Sequence, residues 1–140
     1  MKTNVTIVPA RPDIYNLAMT ISPGGRAKVF NVTNARHTTE PFTVRTIKRK
    51  GNRLVPSVLR IYVTGVGNFS AASITVRIGS VTIPAATNPV LAEPGVSTFD
   101  FVLPATLNGA GDQPVVVTVI IGNATFTSRL DDTTSRIFIL

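Results

Sequence analysis

The 140-residue chain contains no cysteine and a single histidine. Without cysteine it has no disulfides, Cys-ligated zinc, iron–sulfur clusters or thiol nucleophiles. Seven carboxylates accompany the histidine, which is a small supply for catalysis. No run of 18 apolar residues occurs, so no segment has the length of a membrane-spanning helix. These deficits predict a protein with no enzymatic activity, no cofactor or metal site and no membrane insertion.

Apolar residues are abundant, at 44% of the chain against 15% charged residues. That balance excludes an intrinsically disordered chain, and a chain of this length buries enough surface for a real core. The length fits one domain with an additional arm. The beginning of the chain has no apolar run of signal-peptide length. A secreted chain whose leader has been removed would show the same pattern.

A two-residue alternation of apolar and polar side chains runs through most of the sequence, as in half-buried β-strands. One further run is apolar on both faces apart from Thr118 and predicts a central strand or one covered by a neighbour. The alternating windows are 15–21, 59–63, 74–78 and 99–103; the doubly apolar run is 115–121; residues 124–130 and 136–140 complete the predicted strands.

Turn-forming sequences separate these windows, among them Pro23-Gly24-Gly25, Gly51-Asn52 and Asn108-Gly109. Strands therefore recur about every 10 to 14 residues, a spacing typical of an antiparallel sandwich or barrel. No window has the 3.6-residue periodicity of a long helix. The predicted fold is all-β, an Ig-like antiparallel β-sandwich over residues 12–140 with an N-terminal strand arm over residues 1–11.

Five short stretches carry a family resemblance: residues 58–66, 74–79, 94–104 and 111–119, together with Ser128-Arg129-Leu130-Asp131-Asp132. They resemble an uncharacterised family of Ig-like domains, often C-terminal, in secreted proteins of soil and aquatic bacteria, related to IPT/TIG sandwiches. The resemblance implies an Ig-like fold and an extracellular or cell-surface location, and it supplies no catalytic residues. The segment from Pro12 to Val44 resembles the family's linker and first strand, with Arg36 to Pro41 a looser match.

Five basic side chains cluster around Gly51-Asn52, which predicts the tip of a β-hairpin. Clustered cations attract polyanions by releasing their counterions, so an acidic polysaccharide is one expected partner. Aromatic residues do not interleave with the cluster, which makes nucleic acid an unlikely ligand. A solvated tip whose charge blocks edge-to-edge pairing is the alternative. The cluster comprises Arg45, Lys48, Arg49, Lys50 and Arg53.

Four Asn-X-Ser/Thr sequons make Asn4, Asn31, Asn68 and Asn123 candidate glycan acceptors. Asn68 and Asn123 are favoured because they lie in predicted turns. Ordinary turn asparagines are the alternative, since threonine and serine are common in this chain.

Two other polar groups have a structural interpretation. His37 lies in a polar loop without a catalytic or metal-binding motif around it, so we expect an exposed loop residue. Asp131-Asp132 lacks the spacing of a calcium loop, and a turn with hydrogen-bonding side chains is expected.

The N-terminal residues are strand-like but lie outside the predicted domain, because Val5 and Ile7 alternate with polar residues before Pro9 and Pro12. Prolines so close together favour an extended connection over a tight hairpin. The arm can pair within its own domain, or it can add to a neighbouring copy by β-strand addition. In the second case Val5, Ile7 and Ile14 are the inserted side chains.

These observations predict a non-enzymatic extracellular structural subunit that self-associates head to tail through a donated N-terminal strand, forming a surface filament or array. The alternative is a binding or adhesion module that uses the basic hairpin for acidic polysaccharide or another polyanion. A hydrolase would need a nucleophile–base pair, and the sequence suggests none.

Overall fold

The computed structural model describes residues 12–20, 25–34, 36–48, 50–66, 69–128, 130 and 134–140. Within them the chain forms twelve β-strands and two short 3₁₀ turns. The strands are β1 (Asp13–Ile14), β2 (Val29–Asn31), β3 (Arg45–Lys48), β4 (Arg53–Pro56), β5 (Val58–Thr64), β6 (Ile74–Ile78), β7 (Val81–Pro84), β8 (Val90–Glu93), β9 (Val96–Val102), β10 (Gly111–Ile121), β11 (Ala124–Thr127) and β12 (Arg136–Ile139). The 3₁₀ turns are Ala71–Ser73 and Ala105–Leu107.

The first five-stranded sheet has the order β1-β5-β9-β8, with β2 also pairing β5. All its pairings are antiparallel. β5 alternates between fully buried residues and half-buried ones, as its sequence predicts. Strand β1 therefore lies at one edge of this sheet and β8 at the other.

The second five-stranded sheet has the order β11-β10-β6-β7, with β12 also pairing β10. The doubly apolar run 115–121 lies in β10, which is flanked by β6 on one side and β11 on the other. This position confirms the predicted central strand. The chain's last strand pairs within its own domain, since β12 is antiparallel to β10 and forms parallel bridges at Arg26 and Phe42.

One continuous apolar core lies between the two sheets. Alternate residues of β5 and β9 fill it from the first sheet, and those of β6, β10 and β12 fill it from the second. The prediction of an all-β antiparallel sandwich is confirmed. The fully buried aromatic and branched side chains include Phe42, Phe99, Phe101, Leu59 and Ile61.

The alternation over residues 15–21 does not form the predicted strand. The chain turns at residues 17–19 instead, and Met19 has a φ of 60°. The Asn16 side chain stabilises this turn, because its Oδ1 accepts hydrogen bonds from the backbone N–H groups of Ala18 and Thr20. Asparagine commonly competes with strand pairing in this way, and the pattern alone did not show it.

Ile14 is 3% exposed and belongs to the core of its own chain. Its strand pairs with β5 at Val63. The expectation that Ile14 inserts into a neighbouring copy is therefore wrong. Val5, Ile7 and the rest of the predicted arm lie outside the described residues.

Candidate interaction surfaces

The predicted hairpin is present, with β3 and β4 forming a separate two-stranded sheet. Lys48 is paired with Arg53 at the end of the ladder. The intervening tip contains Gly51 and Asn52, with φ angles of 89° and 48°. Left-handed backbone is accessible to glycine and asparagine at little cost, so this dipeptide closes the hairpin.

The hairpin presents its cations to solvent. Arg45, Lys48, Lys50 and Arg53 are exposed, and none forms an ion pair with an acid of the described chain. Arg49, the remaining member of the predicted cluster, lies outside the described residues. The hairpin is therefore a patch of uncompensated positive charge.

The described acids that form ion pairs do so with arginines outside the hairpin. Arg26 donates two hydrogen bonds to Glu40, at 2.7 and 2.8 Å. Its third nitrogen lies 2.7 Å from Asp112 Oδ1, and Arg136 Nε donates to Asp112 Oδ2 at 2.6 Å. This network joins the loop before β2 to β10 and β12.

Hydrogen bonds lower the pKa values of both carboxylates in this network. The pKa of Glu40 lies below its ordinary value, mainly because Arg26 donates to it; burial opposes the shift, and the Phe138 N–H at 2.7 Å adds to it. The pKa of Asp112 is lowered chiefly by the hydrogen bond from Arg136. Hydrogen bonds to the charged form stabilise that form, so both carboxylates are ionised at neutral pH.

A second ion pair lies on the outer face of the first sheet. Arg60 and Asp100 are directly opposite on β5 and β9. The guanidinium donates to both carboxylate oxygens, at 2.7 and 3.1 Å. This contact raises the pKa of Arg60. Asp100 is thus a partner of a neighbouring cation, and it does not offset the charge of the hairpin.

A small polar pocket of about 180 Å³ lies beside β3. Side-chain hydrogen bonds hold two of its residues, because Asn31 Nδ2 donates to Thr46 Oγ1 at 2.8 Å. Asn34 Nδ2 donates to the Ile47 carbonyl at 2.9 Å, which fixes the loop after β2 against the hairpin. The lining residues are Asn31, Asn34, Arg36, Thr38 and Thr46.

The same contacts correct one glycosylation prediction. Asn31 is 8% exposed, its Nδ2 donates to Thr46, and its Oδ1 accepts from the backbone and hydroxyl of Thr33. The amide of the folded chain is therefore inaccessible to a glycan. Asn123 is exposed in the turn between β10 and β11, whereas Asn4 and Asn68 lie outside the described residues.

The edge strand β8 exposes apolar side chains as well as backbone. All four of its residues are exposed, with Val90 at 63% and Leu91 at 68%. Val90 is opposite Thr98 and Leu91 is opposite Ser97 on β9. An exposed apolar edge strand is a template for pairing with another chain.

Other candidate chemistry is sparse in the described part of the chain. His37 is an exposed loop residue, as predicted, and Asp131-Asp132 lies outside the description. The described residues contain no group of three or more His, Cys, Asp or Glu side chains that could hold a metal ion. Among them, no helix has the length and apolarity needed to cross a bilayer.

No family model matches the chain, and a search of curated proteins finds no match either. The resemblance to Ig-like domains of secreted bacterial proteins therefore stays a prediction. Sequence reasoning found the hairpin but missed the pocket beside it. The polar run Arg36-His37-Thr38 marked a loop, yet nothing local indicated that this loop folds against β3.

Proposed function

We propose that the protein is a non-enzymatic structural subunit that self-associates outside the cell or at its surface. Copies would join head to tail, with the N-terminal strand of one copy added to the sheet edge of the next. The observation that carries this proposal is the position of the two edges. β1, which directly follows the arm, lies at one edge of the first sheet, and the exposed β8 lies at the other.

This arrangement favours an open assembly. β1 and β8 are three strand spacings apart, or roughly 14 Å at about 4.8 Å per strand. A donor at one edge and an acceptor at the opposite edge make a heterologous contact, which repeats along a filament unless it closes into a ring.

The acceptor edge suits the side chains of the arm. In an extended strand Val5 and Ile7 would share one face, because they are two residues apart. Leu91 lies on the core-facing side of β8, because its partner Ser97 shares one face of β9 with the core residues Phe99 and Phe101. Burying the two arm side chains beside Leu91 would contribute about 1.5 to 3 kcal/mol each, in addition to the backbone hydrogen bonds.

Light scattering of the purified chain across a concentration series tests assembly. We expect polymers from the full chain and monomers after deletion of residues 1–9, with a synthetic peptide of those residues binding the truncated chain. Leu91→Lys should also block assembly, since an edge lysine opposes strand addition. Ile120→Lys is the matched control, because Ile120 is 46% exposed but lies on β10, which is paired on both sides.

Two results would overturn this proposal. One is a full-length chain that stays monomeric at high concentration. The other is a truncated chain that assembles as the full chain does.

A second function, polyanion binding through the hairpin, is favoured by the exposed cations that lack acidic partners. Such binding weakens steeply with ionic strength, whereas strand-mediated assembly buries apolar surface and does not. Replacing Lys48, Lys50 and Arg53 with glutamine should lower the salt concentration that elutes the chain from an anionic matrix while leaving assembly unchanged. Retention of this triple variant at the wild-type salt concentration would refute a role for the hairpin.

A further inference from the structure

We propose that the polar pocket beside β3 binds one sugar unit of an acidic polysaccharide, while the hairpin cations bind the charges of neighbouring units. The inference rests on the polyanion binding proposed above and names its ligand. The pocket residues would recognise the sugar, and the hairpin cations would attract the polysaccharide at longer range.

The pocket offers hydrogen-bonding groups in fixed positions. Thr46 is held from two sides, by Asn31 Nδ2 at 2.8 Å and by the Ser57 hydroxyl at 2.6 Å. Thr38 is fixed through its backbone, which pairs with Asn31 in both directions at 2.7 and 3.1 Å. Its exposed side chain has no hydrogen-bond partner in the described chain. Polar groups that are already fixed in place favour binding of a ligand rich in hydroxyls, because they lose little conformational entropy on binding.

Positive charge surrounds these groups. Arg36 lines the pocket, is exposed and forms no ion pair with a described acid. Lys48 lies two residues along β3 from Thr46, so its side chain leaves the same face of the strand. Arg53 is opposite Lys48 across the hairpin. The pocket thus combines the Thr38 hydroxyl with three nearby cations, Arg36, Lys48 and Arg53.

The size and lining of the pocket select among anionic polymers. At about 180 Å³ the pocket is smaller than the roughly 300 to 1,000 Å³ of a pocket that encloses a drug-sized ligand. This size fits one monosaccharide unit of a polysaccharide. All its lining residues are polar. Proteins that bind single-stranded nucleic acid use aromatic side chains on which bases stack, and this pocket provides none. An acidic polysaccharide can hydrogen-bond to the Thr38 hydroxyl and carries the charge that the cations attract.

The test measures binding of the full chain to chondroitin sulfate, to inorganic polyphosphate of equal charge and to neutral dextran. Thr38→Val removes the pocket hydroxyl and keeps the β-branched shape, and Thr38→Ser restores the hydroxyl. We expect Thr38→Val to weaken chondroitin sulfate binding about 3- to 10-fold, the usual value of one hydrogen bond. Polyphosphate binding should not change, and Thr38→Ser should bind chondroitin sulfate like the wild type.

A triple variant separates this inference from the function on which it rests. Replacing Lys48, Lys50 and Arg53 with glutamine should weaken both polyanions at low salt. If it weakens neither, polyanion binding itself is refuted. If it weakens both but Thr38→Val has no selective effect on chondroitin sulfate, or if the wild type binds polyphosphate more tightly than chondroitin sulfate, the hairpin binds anions and the pocket assignment is wrong.

Discussion

Glu40 should contribute more to the stability of the fold than an ordinary loop residue does. Its carboxylate accepts two hydrogen bonds from Arg26 and one from the Phe138 N–H, all within 2.8 Å. The side chain is 20% exposed. Glu40→Gln keeps the size but replaces one acceptor oxygen with an NH₂ group, which cannot accept from either donor.

The expected loss follows from these contacts. Hydrogen bonds to a charged group contribute about 1.5 to 3 kcal/mol, and the lower end is expected because Arg26 stays paired with Asp112. In a domain of this size, about 3 to 4 °C of Tm corresponds to each kcal/mol. At about 1.5 kcal/mol, the substitution should therefore lower Tm by roughly 5 to 6 °C at neutral pH.

Acid should remove the difference between the two proteins. The pKa of Glu40 is lowered in the folded chain, so its stabilising contribution is fully present above the unfolded pKa of about 4.3. The contribution is lost as pH falls through the folded pKa. The free energy of unfolding of the wild type should thus approach that of the variant in this acid range.

Chemical denaturation from pH 7 to the acid range measures this effect. Glu93→Gln is the matched control, because Glu93 is exposed and takes part in none of the ion pairs found in the described chain; its cost should stay within about 0.5 kcal/mol. The reasoning is refuted if Glu40→Gln costs no more than this control, or if its cost does not shrink in acid.

Three further substitutions test the fold. Ile14→Ala should cost about 2 to 5 kcal/mol independently of protein concentration; a concentration-dependent loss in thermal denaturation would instead place Ile14 in an interface. Gly79→Ala should lower Tm slightly more than Gly95→Ala, since both have positive φ but only at Gly79 would a Cβ displace the end of the Gln113 side chain, 2.6 Å away, which is hydrogen-bonded to the Ala110 carbonyl; equal Tm values would refute this difference. Lys50→Gln should change the unfolding free energy by under about 0.5 kcal/mol, and a larger change would show that Lys50 is paired.

The sequence alone determined the architecture where the signal is local. Alternation in the segments that form β5, β6 and β9 predicted strands with one buried face, because successive side chains of a strand point to opposite sides. The doubly apolar run predicted the central position of β10. Gly51-Asn52 predicted the hairpin, because the turn needs left-handed backbone that these residues adopt readily.

Only the tertiary structure decided which distant residues meet. Alternation at residues 15–21 gave way to a turn because the Asn16 side chain satisfied the local backbone, a competition that periodicity cannot represent. Asn31 has the motif of a glycan acceptor, but packing against Thr46 buries it. The Glu40 carboxylate accepts from a backbone group 98 residues away. Such contacts depend on how the two sheets stack, and a local pattern specifies the face that a residue occupies without specifying its partner across the fold.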